Sequence, residues 1–366
     1  MTSPEASPPR PLPRRSLRGL AAAAALVVGA GLIGFTTTQA GAQPTQNPRP
    51  NQNGIATKVA PSVVEITTTL AGGQGQAAGT GMVLTSSGVV LTNNHVIESA
   101  GQVRARIGGA GSTHSARILG YNVKEDVALL KVDGVSNLKT VATDTTPTVG
   151  EPVVAVGNGG GRGATSDVSS GSITALGDSI TVSDVTGGGQ RLTNLIRIDA
   201  PLQPGDSGGP LLDANGDVIG MNTAASSGGF RLRSSSSEGF AVPIKTALTV
   251  ADQIQSGQGG GETHVGERAF IGVSIQGGSA SGSTRGGGSG SAPTVAGVQS
   301  GSPAQRAGID QGSEITSVAG KSVGSVDDIA SALAPYHPGD KVDVSWTDSS
   351  GHRHTANVTL ASGQSG

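Results

Sequence analysis

The sequence predicts a mainly β protein with a smaller α+β unit at its carboxyl end. The length of 366 residues suffices for about two domains. Between residues 55 and about 251, short apolar runs of strand length alternate with glycine-rich turns, which is typical of a β-sandwich or a β-barrel. After residue 266, strand-like runs are interspersed with two helix signatures. These observations predict an all-β domain followed by a smaller α+β domain.

The composition excludes several classes of protein. Glycine supplies 60 residues without the three-residue period of collagen, and the 35% apolar content suffices for a packed core. The absence of cysteine excludes a disulfide scaffold, a zinc ribbon, an iron–sulfur cluster and a thiol nucleophile. The formal net charge of −2 gives no electrostatic reason to expect nucleic acid as a partner. We predict no cofactor.

Residues 1–42 have the organisation of an export signal. Arginines precede an apolar stretch at 20–35, and Ala40-Gly-Ala42 has the pattern of a signal peptidase site. The apolar stretch is shorter than the about 20 residues of a membrane span. We expect an exported protein, either in the cell envelope or secreted, and an uncleaved segment would instead anchor it to a membrane. Arg14-Arg15 leaves open whether export uses the twin-arginine route.

Composition also divides the rest of the chain. Residues 43–54 are rich in Pro, Gln and Asn and predict a linker, which is followed by the larger domain at 55–252. A second flexible linker is predicted at 253–266. The smaller domain covers 267–361, and its Gly- and Ser-rich stretch at 277–291 predicts a disordered loop.

The individual elements follow from apolar runs and capping residues. Ser302-Pro303 predicts the start of a short helix that ends at Gly308. Ser325 and Asp328 form a capping box before an apolar helical face. Strands are predicted at 62–70, 80–84, 88–91, 127–132, 152–156, 192–198, 217–221, 271–275, 314–318, 341–346 and 355–360.

The segment Gly205-Asp-Ser-Gly-Gly-Pro210 carries the strongest chemical signal in the chain. A serine nucleophile needs its hydroxyl on a sharp turn, with backbone amides nearby to bind an oxyanion. Glycines permit such a turn. Taken alone, the segment fits a structural glycine-rich turn equally well.

A serine nucleophile also needs a base and an acid that orients the base. Of the six histidines, only His95 and His114 lie in the larger domain. His95 directly follows an apolar strand, whereas His114 lies in a polar stretch that predicts a surface loop, so His95 is the candidate base. Asp126 opens an apolar run, and Asp199 and Asp206 lie near the serine. Spacing alone does not choose among these acids.

Several motifs together resemble the HtrA family of serine proteases. They are residues 92–96 (TNNHV), 126–131 (DVALLK), 205–210 (GDSGGP), 218–223 (VIGMNT) and 239–244 (GFAVPI). The resemblance implies a trypsin-like double β-barrel followed by a PDZ domain. It also implies an endopeptidase that acts on unfolded or misfolded proteins. A non-proteolytic holdase or PDZ-based scaffold is the alternative.

The resemblance assigns roles to residues of this chain. It implies that His95 is the general base, that Asp126 orients it and that Ser207 is the nucleophile. The oxyanion hole would lie at Gly205, Asp206 and Ser207, with the N–H groups of Gly205 and Ser207 as donors. The specificity pocket would involve Pro201, Met221, Asn222 and Thr223. Because Pro201 offers no carboxylate, we expect cleavage after small or medium apolar residues.

The resemblance also implies a peptide-binding groove in the smaller domain. A peptide carboxylate would bind near Phe270, Ile271, Gly272 and Val273, and Val326 would line the groove. Ile271 and Val273 would also suit a strand in the core. His352 and His354 could face one side of a strand, but no third ligand is evident, so we predict no metal.

Three departures from the family pattern matter. Asp206 stands where the family more often has Asn, and the loop at 159–162 lacks a frequent Pro and is expected to gate the site. Residues 43–60 contain none of the aromatics that commonly clamp family trimers. The homo-oligomeric state is therefore left open.

Overall fold

The computed structural model describes residues 51–70, 76–98, 100–109, 111–158, 167–183, 189–223, 238–260, 262–275 and 293–362. All of them belong to one compact unit that begins at Asn47. The predicted export signal at 1–42, the loop at 159–162 and the low-complexity stretch at 277–291 lie outside the described residues. Within the described ranges, no helix has both the length and the apolar character needed to cross a bilayer.

Six antiparallel strands form the first barrel, after the short helix α1 (Gln52–Val59). They are β1 (Val63–Leu70), β2 (Gln76–Val83), β3 (Val89–Thr92), β4 (Ala100–Ile107), β5 (Thr113–Asn122) and β6 (Val127–Val132), and the one-turn helix α2 (Asn94–Ile97) follows β3. The strands run in the order β5-β4-β1-β2-β3-β6, and pairing of β5 with β6 closes the sheet. His114 lies within β5 and not in the surface loop that its polar neighbours predict.

The second barrel has six strands and is followed by a helix. The strands are β7 (Pro152–Gly157), β8 (Asp167–Ser183), β9 (Gly189–Ile198), β10 (Pro210–Leu212), β11 (Val218–Thr223) and β12 (Gly239–Pro243), and the helix is α3 (Ile244–Gln255). They close in the order β10-β11-β12-β9-β8-β7. The pairing of β8 with β9 shifts register at several points, and such bulges increase local bend and twist.

One apolar cluster joins the two barrels. Leu91 of the first barrel and Leu212 of the second belong to it, as do Ile55 of α1 and Val250 of α3. Protein interiors are close-packed, so a shared core holds two barrels at a constant separation. Catalytic groups that come from different barrels can therefore keep a fixed geometry.

Both predicted linkers contain secondary structure. Asn51 caps α1, so the helix begins inside the segment predicted as a linker at 43–54, and Ile55 and Val59 bury its apolar face. Strand β13 (Thr263–Val265) lies in the linker predicted at 253–266 and pairs with β5 of the first barrel. Neither segment has the composition of a regular element, and tertiary contacts with the barrel stabilise both of them.

The smaller domain combines short sheets with two helices. Its elements are β14 (Ala269–Phe270), β15 (Val273–Ile275), β16 (Val295–Val298), α4 (Pro303–Ala307), β17 (Glu314–Val318), β18 (Lys321–Ser322), α5 (Val326–Leu333), β19 (Lys341–Thr347), β20 (Arg353–Thr359) and β21 (Ala361–Ser362). The predicted caps are confirmed. Ser302 accepts from the Gln305 amide, Ser325 accepts from the Asp328 amide, and Gly308 ends α4 with a φ of 82°.

The fold therefore confirms the predicted architecture of a double β-barrel followed by a smaller α+β domain.

Candidate active site

His95 and Asp126 come together at one end of the first barrel. His95 lies in α2, directly after β3, and Asp126 ends the turn that leads into β6. The imidazole Nδ1 lies 2.8 Å from Asp126 Oδ2 and 3.1 Å from Oδ1. The backbone amide of His95 also donates to Asp126 Oδ1, at 3.0 Å. One carboxylate thus fixes both the ring and the backbone of His95.

Burial, a left-handed backbone and two further hydrogen bonds hold Asp126 in place. Its side chain is buried, and its backbone has a φ of 53°, a left-handed conformation that Asp adopts more readily than most residues. Asn93 Nδ2 donates to the Asp126 carbonyl at 2.9 Å, and Thr223 Oγ1 donates to Oδ2 at 3.3 Å. Thr223 belongs to the second barrel, so this carboxylate bonds to both barrels.

The charge of Asp126 changes the proton affinity of His95. Burial lowers the pKa of His95, but the negative charge of Asp126 and its hydrogen bond to the ring raise it, with a smaller contribution from Glu98. The raising effects prevail, so the pKa lies above the ordinary 6.5. This arrangement stabilises the imidazolium that forms when His95 accepts a proton.

Ser207 lies on the turn that precedes β10. It is buried, and the glycines on either side of the Asp206–Ser207 pair, Gly205 and Gly208, have φ values of 104° and 84°. The Gly208 amide donates to Asn222 O at 2.9 Å, next to the Thr223 that bonds Asp126. Hydrogen bonds and adjacent residues therefore connect the serine turn to the His95–Asp126 pair.

The turn before the serine, Gln203–Asp206, has the sequence that a type II β-turn requires. Pro204 occupies the second position and Gly205, with its positive φ, the third. The Asp206 amide closes the turn by donating to Gln203 O at 3.0 Å, and Asp206 Oδ2 accepts from the Gln203 amide at 2.8 Å. This corrects the inclusion of Asp206 in the oxyanion hole, because its N–H is used within the turn.

The four residues predicted for the specificity pocket have different surroundings. Met221 lies in the apolar core, and Asn222 Nδ2 donates to the carbonyls of Val156 and Pro210. Neither side chain is therefore placed to contact substrate, and the Thr223 hydroxyl is directed to Asp126. Pro201 is exposed.

Leu202, the neighbour of Pro201, is not among the predicted pocket residues. Leu202 is half-buried, and a Cβ added to Gly239 would lie 2.8 Å from its Cγ. Its side chain thus fills the space that this glycine leaves open beside β12.

The predicted peptide-binding residues of the smaller domain differ in burial. Ile271 is a core residue, as the alternative interpretation expected, and Val273 and Phe270 are half-buried in β15 and β14. Gly272 has a φ of 89°, and a Cβ there would lie 2.1 Å from Ser302 Cβ, so only glycine fits. Val326 begins α5, and its side chain is not among those described.

A contact network between the domains was not foreseen. Tyr121 of β5 stacks on His264 of β13 at 4.9 Å, and His264 stacks on His337 at 4.8 Å. The Arg268 guanidinium lies 4.3 Å from the Tyr121 ring centre and donates to Asn94 Oδ1 at 3.2 Å. Asn94 directly precedes His95, so this junction adjoins the candidate base. Its residues are distant in sequence and form no local motif.

The predicted pair His352 and His354 shares one carboxylate. Asp348 Oδ2 lies 2.7 Å from His354 Nε2 and 3.6 Å from His352 Nδ1. The bond from His354, backbone bonds and the charge of His352 lower the pKa of Asp348 to about 2. Among the described residues, no group of three or more His, Cys, Asp or Glu side chains is arranged to hold a metal ion.

Two closed six-stranded barrels, with a His–Asp pair in one and a serine on a glycine-bounded turn in the other, define a trypsin-like serine protease. Residues 79–221 match the family model of the trypsin-like peptidase domain, and residues 294–346 match that of the PDZ domain. The chain therefore combines a trypsin-like peptidase domain with a PDZ domain, as expected of a serine endopeptidase of the HtrA type.

Curated relatives carry matching names. The chain is 28% identical to serine protease PepD of Mycobacterium tuberculosis, over 96% of this chain and 79% of the relative. It is 35% identical to a probable periplasmic DegP-like serine endoprotease of Brucella suis, over 78% of this chain and 52% of the relative. It thus spans about half the length of the DegP-like relatives. A solved structure of the HtrA-type protease AlgW with a tripeptide is 28% identical over 85% of this chain and 97% of the other, with a TM-score of 0.48.

Proposed function

We propose that the protein hydrolyses peptide bonds of unfolded or misfolded proteins outside the cytoplasm, through a triad of His95, Asp126 and Ser207. The observation that carries this proposal is the contact of both Asp126 carboxylate oxygens with His95, one of them at 2.8 Å from Nδ1. It fixes the tautomer in which Nε2 can accept a proton. Relatives named periplasmic and the predicted export signal support the location.

The proposed chemistry uses each of these three residues in a defined role. The Ser207 hydroxyl oxygen attacks the scissile carbonyl while His95 Nε2 takes its proton, and Asp126 stabilises the resulting imidazolium. The N–H groups of Gly205 and Ser207 donate to the oxyanion of the tetrahedral intermediate. His95 then protonates the leaving amine, and the acyl-enzyme forms. Water, deprotonated by the same imidazole, releases the acid and restores the serine.

The smaller domain would bind the carboxyl terminus of a peptide. In the part of the chain that the structure describes, β15 pairs only with β16. Its other edge offers backbone groups to which a peptide can add as a strand. The loop at Gly272, where the backbone has a positive φ, precedes this strand and would receive the terminal carboxylate.

Casein degradation by the wild type, Ser207→Ala and Gly272→Val, with and without an apolar C-terminal peptide, tests both parts. We expect Ser207→Ala to abolish cleavage and to leave peptide binding intact. Gly272→Val should weaken peptide binding, because a side chain there collides with Ser302. Casein cleavage by Ser207→Ala would contradict the catalytic proposal and favour a different active site. A wild type that binds unfolded casein without cleaving it would favour the holdase alternative.

A further inference from the structure

Thr80 of β2 makes hydrogen bonds to the nucleophile turn from both its side chain and its backbone. The hydroxyl donates to Gly205 O at 2.6 Å and accepts from the Asn158 amide at 2.9 Å. The Thr80 amide donates to Ser207 O at 2.8 Å. Thr80 is fully buried, so these bonds form away from solvent. A residue of the first barrel thus holds two residues of the turn that belongs to the second.

The hydroxyl of Thr80 uses both its donor and its acceptor capacity. A threonine hydroxyl has one hydrogen to donate, and here that hydrogen goes to Gly205 O. Its oxygen receives the Asn158 N–H. A side chain of the same shape without the hydroxyl would leave a buried carbonyl and a buried amide without this partner, which is unfavourable.

The packing around Thr80 leaves little room for another arrangement. A Cβ added to Gly208 would lie 2.0 Å from Thr80 O, and one added to Gly209 would lie 3.1 Å from Thr80 Cγ2. Thr92 Oγ1 also donates to Thr80 O, at 2.7 Å. Packing against Gly208 and Gly209 and the hydrogen bond from Thr92 therefore hold Thr80 in one position.

We propose that Thr80 is a positioning residue, whose hydroxyl orients the Gly205 N–H of the oxyanion hole. Gly205 has a φ of 104°, and glycine has other accessible backbone conformations in which its N–H would point elsewhere. The bond from Thr80 to Gly205 O fixes the carbonyl side of this residue, while the Gln203–Asp206 turn fixes the other side. The Gly205 N–H is thereby held toward the position of the developing oxyanion. The proposal rests on the proposed function of this turn.

Loss of the Thr80 hydroxyl should affect kcat more than KM. Oxyanion donors interact more strongly with the tetrahedral transition state than with bound substrate, so their misplacement lowers kcat more than it raises KM. Removal of a whole oxyanion donor costs about 10²–10³ in kcat in other proteases. A misdirected donor retains part of its interaction, so we expect a loss of about 10- to 100-fold.

The test compares Thr80→Val with Thr80→Ser, which keeps the hydroxyl. The matched control is Thr68→Val on β1, a buried threonine of the same barrel whose hydroxyl donates to Ala77 O, at 3.5 Å. The measurements are kcat and KM on an apolar peptide substrate and the affinity for a peptide aldehyde, whose hemiacetal places an oxyanion in the hole. We expect Thr80→Val to lower kcat and aldehyde affinity by the same factor, with KM within about threefold. Thr80→Ser and Thr68→Val should stay near wild type.

The outcomes separate this inference from the proposed function. Wild-type kcat in Thr80→Val, an effect on KM alone, or an equal loss in Thr80→Ser would overturn the role of the hydroxyl. If Thr80→Val does not fold, Thr80→Cys replaces it. The weak S–H donor should then give an intermediate kcat, and a wild-type kcat would contradict the proposal. Hydrolysis that persists in Ser207→Ala would overturn the proposed function itself.

Discussion

Asp126 bonds several groups of the candidate site at once. It contacts the ring and the amide of His95, and it accepts from Thr223 across the boundary between the barrels. Its local motif does not predict the last contact, because Thr223 comes from a strand of the second barrel. One buried charge therefore sets both the orientation and the proton affinity of the base.

The pH dependence of hydrolysis should report the pKa of His95. Burial lowers this pKa, and the charge and hydrogen bond of Asp126, with Glu98, raise it to a net value above 6.5. The base must be neutral to accept a proton, so kcat/KM should rise with pH and reach half its maximum above pH 6.5. The measurement is kcat/KM on one peptide across the pH range. A midpoint below 6.5 would show that burial, and not Asp126, dominates.

Leu202 should set the size of the residue accepted before the scissile bond. Its side chain occupies the space beside Gly239, so Leu202→Ala should favour larger residues such as Phe over Val. The size of one or two methylene groups changes discrimination by about 10- to 100-fold. The ratio of kcat/KM for matched Phe and Val peptides measures this. The exposed Pro201 provides the control, because Pro201→Ala should leave the ratio unchanged, and an equal shift in both variants would contradict the assignment.

At the residue scale, the motifs point more clearly to the proposed catalytic residues than to residues that would shape the pocket. His95, Asp126 and Ser207 lie in distinctive short segments. Met221 and Asn222 also lie in a distinctive segment. However, the Met221 side chain packs in the apolar core, and Asn222 Nδ2 donates to a backbone carbonyl. Every residue of β11 is buried, so alternation along the strand gives no indication of which side chain could meet substrate.

Among the elements, β13 shows most clearly what composition does not predict. Its residues lie in a Gly- and Gln-rich stretch, yet it extends the sheet of the first barrel beside β5. Asn122 Nδ2 donates to Thr263 Oγ1 at 2.9 Å, and Thr263 in turn donates to Gln253 at the end of α3. Contacts with two distant elements stabilise a strand whose own sequence has little strand preference.

Gly120→Ala should displace β13. A Cβ at Gly120 would lie 2.5 Å from His264 O and 2.7 Å from Ile254 Cγ2, so the strand or the end of α3 must move. We expect a loss of about 1–3 kcal/mol in the free energy of unfolding and faster cleavage of the junction by an added protease. The measurement is denaturant unfolding with limited proteolysis. Gly324→Ala, where the nearest atom would be at 3.7 Å, is the control. Equal stability in both variants would contradict this packing.

At the scale of the whole molecule, the junction combines two stacked histidines with a cation. His264 lies between Tyr121 and His337, near Arg268, and its Nε2 donates to the Glu267 carbonyl at 3.2 Å. Burial lowers the pKa of His264 most, and the charges of His337 and Arg268 lower it further, against bonds to the backbone of Glu267 and Ala334. The folded junction therefore favours the neutral ring.

Acidification should therefore loosen the contact between the domains. Because the folded pKa of His264 is depressed, its contribution to stability is full above the unfolded value near 6.5 and is lost as pH falls through the folded value. The chain has no cysteine, so Lys139→Cys and Ser349→Cys provide unique sites for paired labels on the two domains. We expect the label distance to broaden between pH 7.5 and 5.

The matched control for the junction is His264→Phe, which keeps an aromatic ring and removes the titration. Its label distance should not depend on pH over the same range. The same broadening in His264→Phe would assign the effect to another group, such as His337.

The overall architecture could be predicted because it depends on many repeated local signals. Short apolar runs indicated the barrels, and capping residues such as Ser302 and Ser325 indicated both helices of the smaller domain. The junction could not be predicted, because Arg268 and Asn94 are distant in sequence and meet only when β13 joins the sheet. Thr80 lay within a predicted strand, but only the assembled barrels show that its hydroxyl bonds the turn of the second barrel.

The central claim is that Ser207 is a nucleophile activated by His95. Its most direct test is reaction of the folded protein with a peptide phosphonate, followed by intact mass and peptide mapping. We predict one adduct, on Ser207, none in Ser207→Ala, and a labelling rate reduced by about 10²–10⁴ in His95→Ala. An adduct on another residue, or a labelling rate that does not change in His95→Ala, would contradict the account.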